Sequence, residues 1–280
     1  MAVEREARYR HLLLSGTSRT ERFKRPGTGG PRLRLPDRNR QTHGQRLLRQ
    51  LEQAAEQSAI LAQERQTLAL SVDEGICLQF RSDPEFPLKL ESLEILRSGI
   101  QLLSTHEVDG VTVAAVFVPE GKLSLFLSRI EKYLTEETKS GAPRNQGLVD
   151  SVADIQVAAL EAFWTDTPES MPRAGESVWW EVWLRNRRSG EPLFATFESE
   201  AARLGVQIGS GKILFPDRTV LLARANKEEI SRSAELLNCI AEVRRAKENP
   251  QTFMEMGLLE QEEWVRDAQE RTEPAPPDAP

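Results

Sequence analysis

The 280-residue sequence is 39% hydrophobic and 29% charged, with a formal net charge of −6. That is the composition of a water-soluble globular chain, long enough for two cores of about 100 residues each. No apolar run approaches the roughly 20 residues needed to cross a bilayer, and Glu4 and Glu6 among arginines deny the N-terminus a signal-peptide core, so the expected location is cytoplasmic.

The chain opens with a basic arm, residues 1–41. Residues 1–50 hold 13 Lys and Arg against 4 Asp and Glu, a net of +9, which leaves −15 for the rest. Tyr9 to Leu14 is a short apolar run suited to an edge strand or to docking on a neighbour. Pro26, Gly27, Gly29, Gly30, Pro31 and Pro36 then make an extended strap. Only Phe23 interleaves with the arginines, so nucleic acid is not expected. A strap lying across an acidic surface of its own protein is the better reading.

Residues 42–70 carry Leu47, Leu48, Leu51, Ala54 and Ala55 at helical spacing and predict a long amphipathic helix. Residues 71–138 then predict a split βαβ unit. Ile76 to Phe80 is a strand, and Leu88, Leu90, Leu93 and Leu96 mark a helix closed by Gly99. Residues 100–104 and 111–118 form a hairpin around Asp109-Gly110, and Leu123, Phe126 and Ile130 lie on a second helix. The closing strand of this unit is not visible. Residues 139–174 are a linker with a helix from Leu148 to Trp164 on Val152, Ile155, Ala158, Leu160 and Phe163.

A second split βαβ unit is predicted over residues 175–246. Val178 to Leu184 is an aromatic-rich strand, and Leu193, Phe194, Phe197, Ala201 and Leu204 line a helix. Strand segments at 206–208, 213–215 and 220–224 follow, with a turn at Pro216-Asp217-Arg218. Asn226 and Glu229 are spaced as a capping box for a helix through Ile230, Ala234, Leu236 and Leu237, and Cys239 to Val243 is the last strand. Residues 247–280 form a C-terminal helix and a proline-rich segment of linker composition. The expected fold class is therefore α+β, two tandem split βαβ units of ferredoxin-like order with an extended arm and flanking helices.

Candidate chemistry is sparse. His11, His43 and His106 show no metal-ligand spacing, the Gly27-Gly30 stretch lacks the Lys-Ser/Thr of a phosphate loop, and Cys77 and Cys239 fall in predicted strands as buried free thiols. No metal or cofactor is expected, and no nucleophile and base can be assigned, so the chain is not expected to be an enzyme by itself. Trp179, Trp180 and Trp183 occupy strand positions of both parities, so at least one ring points away from the helix layer. It either meets a partner or packs under the linker or the first unit.

His11-Leu12-Leu13-Leu14, Thr42-His43-Gly44, Leu47-Leu48-Arg49-Gln50-Leu51 and Ile240 to Glu248, taken with the paired split units, resemble the N-terminal, non-catalytic region of large bacterial subtilisin-like serine peptidases. The resemblance covers most of the chain. Ser15-Gly16-Thr17-Ser18 includes the Gly-Thr-Ser found around the nucleophile of those enzymes, but it lies in the polar arm and no triad accompanies it. The resemblance implies a catalytic domain following the chain. It also implies a propeptide-like role as folding chaperone and cleft-covering inhibitor, and for some members pairing with an AAA-type ATPase, which would make the chain an adaptor instead. On this reading the partner contacts fall on Trp179, Trp180 and Trp183, and the cleft-entering segment on Arg244 and Arg245 or on Arg271, Thr272 and Glu273.

Overall fold

The computed structural model describes residues 34–68, 75–187, 193–247 and 257–271. The arm through residue 33 and the tail after Arg271, with Thr272 and Glu273, lie outside the described residues. The architecture is α+β, two four-stranded antiparallel sheets flanked by helices.

The first half begins with α1 (Arg40–Leu68), the long helix its leucine spacing predicts. Asn39 caps it, its Oδ1 accepting from the Thr42 N–H at 3.1 Å. Then come β1 (Gly75–Arg81), β2 (Gln101–Val108), β3 (Val111–Pro119), α2 (Ser124–Thr135), α3 (Gln146–Ser151) and β4 (Asp154–Val157), with the sheet ordered β2-β3-β1-β4. Asp109 and Gly110, at φ 51° and 73°, turn the chain so that Val108 faces Val111. Positive φ at both central residues is what a tight hairpin turn requires.

Two predictions for this half are corrected. The helix expected after Pro87 is a pair of 3₁₀ turns, Leu90–Ser92 and Leu96–Ser98, the second closed by Gly99 at φ 79°. Leu90, Leu93 and Leu96 recur at intervals of three, which is the 3₁₀ period rather than the α period. The helix expected from Leu148 to Trp164 divides into α3, β4 and a 3₁₀ turn at Leu160–Phe163. β4 is the strand the sequence concealed. It pairs with β1 from Leu78↔Val157 to Arg81↔Asp154, so the first sheet runs past the boundary drawn at residue 138.

The second half repeats the order. β5 (Val178–Arg185), α4 (Phe194–Leu204), β6 (Gln207–Leu214), β7 (Arg218–Ala225), α5 (Lys227–Ser231), α6 (Ala234–Cys239) and β8 (Ile240–Arg245) form a sheet ordered β6-β7-β5-β8. The capping box is present in both directions, Glu229 N–H to Asn226 Oδ1 and Asn226 N–H to Glu229 Oε2, each at 2.8 Å. The single helix predicted beyond it is two, because Ser233 recaps the chain by accepting from the Leu236 N–H at 3.2 Å. Cys239 consequently ends a helix instead of opening a strand, and both cysteines are buried and outside any disulfide. A last helix, α7 (Leu258–Arg271), leaves Leu258 and Leu259 exposed. No described helix is long and apolar enough to cross a membrane.

Strand parity assigns the layers. Ile76, Leu78 and Phe80 with Ala114, Val116 and Val118 form one face of the first sheet, covered by Leu47 and Leu51 of α1 and Phe126 and Ile130 of α2. The opposite face, Cys77, Ala115 and Phe117, is buried against Leu160, Phe163 and the second half. Residues from Arg34 onward belong to one compact unit, and two polar residues tie its halves together. The Asn238 amide bonds the Cys77 N–H (3.1 Å) and the Gly75 carbonyl (3.2 Å), extending the β1 ladder beyond the point where β4 stops. The Arg185 guanidinium lies 3.5 Å from the centroid of the Phe117 ring, and its Nε donates to the Asn238 carbonyl at 2.6 Å. Gly75 is required here, since a Cβ would come within 2.5 Å of the Phe117 ring.

Candidate interaction surface

Among the described residues, helices cover one face of the second sheet, and the other is covered only at its Arg185 end, by Phe117 of the first half. Val178, Trp180, Val182 and Leu184 of β5 point into the core with Leu221, Ala223 and Val243, under Phe197 and Ala201 of α4 and Leu236 of α6. The alternate residues Trp179, Glu181 and Trp183 lie on the other face. With them are Val220, Leu222 and Arg224 of β7 and Glu242 and Arg244 of β8, their cross-strand partners.

This open face is aromatic at its centre and charged along one side. The Trp183 ring stacks on Phe215, with centroids 5.7 Å apart and planes within 7°. The Arg244 guanidinium sits 5.2 Å from the Trp183 ring, and the indole Nε1–H donates to Glu181 Oε1 at 2.6 Å. Leu222 and Phe215 are exposed. Gly209 lies beside Leu222, where an added Cβ would come within 3.2 Å of the Leu222 Cβ. Beyond β8, a cleft of about 350 Å³ separates this face from the edge strand β2, with Leu102 and Thr105 on one wall and Glu242 and Arg244 on the other. Large amphipathic aromatics with an arginine among them are the residue types that concentrate binding energy at protein interfaces.

The predicted contact residues therefore separate. Trp179 and Trp183 are half-buried on the open face. Trp180, by contrast, is 0% exposed, its ring edge-on to Trp164 at 5.8 Å and its Nε1–H donating to the Ala225 carbonyl at 2.9 Å, so it is a core residue and not a contact. Arg244 belongs to the face, where its Nε donates to Glu242 Oε1 at 2.5 Å and to Thr165 Oγ1 at 3.2 Å. Arg245 is occupied by Glu176 at 2.8 Å. The Arg173 N–H first, and then Arg245, hold the Glu176 carboxyl below its ordinary range. Both arginines sit within β8, so a cleft-entering segment cannot begin at Arg244 without unzipping the strand. Arg271 is the last residue of α7. The exposed Ile213, Leu214 and Phe215 were not read from the sequence as contacts, although three successive apolar residues before a turn were the available signal.

The buried polar cluster in the first half is a clamp. Tyr133 donates to Asp150 Oδ1 at 2.6 Å, and Arg40 Nε to the Tyr133 carbonyl at 2.6 Å. His43 Nε2 bonds the Val149 carbonyl at 3.0 Å while Arg46 faces its Nδ1 at 3.2 Å. Burial, then the Asp150 hydrogen bond, raise the Tyr133 hydroxyl well above its usual range. Burial dominates in lowering the His43 pKa, with Arg38 and Arg46 adding to it against the Val149 bond. Because the unfolded chain takes up this proton more readily, stability is fully present above the unfolded pKa of about 6.5 and declines as pH falls toward the folded value. Chemical denaturation at pH 7 and pH 5 should show a smaller loss on acidification in His43→Gln than in the parent; an equal loss would remove His43 as a cause. Part of the slope survives, since burial lowers His106 as well. Among the described residues no group of His, Cys, Asp and Glu is placed to hold a metal ion.

Comparison with known families adds one match. Residues 41–159 match the family model of the Y4kK N-terminal domain. The matched span covers less than half of the chain, and it begins within α1 and ends two residues after β4. The long helix and the concealed strand thus belong to the same module as the first sheet. No curated protein matches the sequence.

Proposed function

We propose that this chain is a regulatory, propeptide-like region of a subtilisin-like serine peptidase, which templates and covers the catalytic domain through the open face of its second sheet. In this reading both halves are ferredoxin-like split βαβ units. The first has given its outer face to the second, and the second keeps its own for the partner. The observation that carries the reading is this asymmetry: of two sheets with the same strand order, one face in four lacks a covering helix layer among the described residues, and that face holds Trp179, Trp183, Leu222 and Phe215. An uncovered aromatic sheet face of this kind suits a protein partner. In this reading the cleft-entering segment starts at Arg271, the end of the last described helix, with Thr272 and Glu273 next in sequence.

The test is inhibition of the catalytic domain that this reading expects to follow the chain. Adding the chain to that domain should slow hydrolysis of a chromogenic peptide, and the double variant Trp183→Glu, Leu222→Glu should weaken inhibition at least about 100-fold, the loss of two central contacts of about 1.5 kcal/mol each. Unchanged hydrolysis together with stable binding to a different protein, such as an AAA-type ATPase, would replace the inhibitor reading with the adaptor one.

A further inference from the structure

β6 is the outermost strand of the second sheet and bonds β7 on one side. Edge strands are ordinarily blunted by charge, proline or a bulge. β6 has a bulge between Ile208 and Lys212, but beyond it Lys212, Ile213 and Leu214 run in regular register against Leu221, Val220 and Thr219. Ile213 is 60% exposed and Leu214 63%. Successive side chains point to opposite faces, so Ile213 lies on the open face and Leu214 on the helix side. A partner docked on the open face would leave Leu214 bare. A strand added at the edge would cover both.

The backbone sets the register such a strand must take. The Phe215 N–H donates to the Arg218 carbonyl at 2.8 Å. By antiparallel alternation Ile213 also bonds inward to Val220, which leaves the N–H and C=O of Lys212 and Leu214 directed outward. A second β6 related by a two-fold axis can be centred in three ways. Centred on Lys212, it sets two ammonium groups opposite each other. Centred on Leu214, it brings Pro216, which has no N–H, opposite Lys212. Centred on Ile213, it pairs each Lys212 with the Leu214 of the other copy, giving four backbone hydrogen bonds with no like-charge pair. The same register sets each Gly211 opposite a Phe215, and a Cβ built on Gly211 meets nothing within 4 Å, so the site has room for that ring.

We infer that the chain pairs with a second copy of itself through β6, antiparallel about Ile213, into a continuous eight-stranded sheet. The contact is isologous and closes as a dimer. It is independent of the peptidase reading, since it uses the sheet edge instead of the open face. Two α4 helices come to flank the junction on the helix side, where Lys212 already lies 3.9 Å from the centroid of the Phe194 ring.

Sedimentation equilibrium of the full chain from about 1 to about 200 μM, the range of a small interface, should show the mass rising from 31.6 kDa toward twice that value. Leu214→Lys should return it to monomer across that range, with an unchanged far-UV spectrum because the residue is exposed. Ile213→Cys should give a covalent dimer on mild oxidation, since the two Cα atoms of a non-hydrogen-bonded pair lie about 4.5 Å apart, within disulfide reach. Cys77 and Cys239, both buried, do not compete. A monomer at the highest concentration overturns the inference. So does a dimer that survives Leu214→Lys and is not trapped through position 213.

Discussion

Trp180→Ala should destabilise the protein by about 3–5 kcal/mol, whereas Trp183→Ala, three residues along the same strand, should cost under about 1 kcal/mol. Trp180 is fully enclosed, touching Trp164 edge-on and giving its indole hydrogen to Ala225, so its removal leaves a large cavity and deletes a buried hydrogen bond. Trp183 stacks on Phe215 with one side of the pair toward solvent, and truncation there is partly replaced by water. Urea unfolding of the two variants followed by circular dichroism decides the matter. Equal losses, or the reverse order, would mean that the layer assignment of β5 is wrong. The folded Trp183→Ala protein is also the reagent for testing partner binding, because weaker binding by a variant of near-parental stability reports on contact and not on unfolding.

Local chemistry made much of the fold legible in the sequence. Asp109-Gly110 specified its turn because few residue pairs accept positive φ twice, and Asn226 with Glu229 specified a helix start because their side chains reach each other's backbone. What failed was the choice between periods. Leu148, Val149, Val152 and Ile155 do share one core, as a helical stripe would, but the last of them reaches it from an edge strand held by the β1 backbone. That hydrogen bonding is long-range and leaves no local trace. The open face was legible only to the level of parity. Trp179 and Trp183 had to oppose Trp180, but which side stayed uncovered depended on where the first sheet's outer face came to rest, a matter decided by Phe117, Arg185 and Asn238 far apart in the chain.

Asn238→Ala should lower stability by roughly 2–4 kcal/mol, because it strands the Cys77 N–H and the Gly75 carbonyl in the interior, at about 1–3 kcal/mol for each unsatisfied group. In a chain of this size that corresponds to a fall in Tm of about 4–15 °C. Asn238→Asp separates the hydrogen bonds from simple volume. Its carboxylate can still accept from Cys77, but it turns a second oxygen toward the Gly75 carbonyl in a buried site where ionisation is itself unfavourable. The Asp variant should therefore be no more stable than Ala at pH 7 and should recover as the pH falls and the carboxyl takes a proton it can donate to Gly75. Calorimetry at both pH values tests this. A single sharp transition in the parent that divides into two in the variants would show that this amide couples the halves. Parental stability in Asn238→Ala would show that the halves are joined by apolar burial alone, with Phe117 and Phe163 doing what is assigned here to a hydrogen-bonded extension of β1.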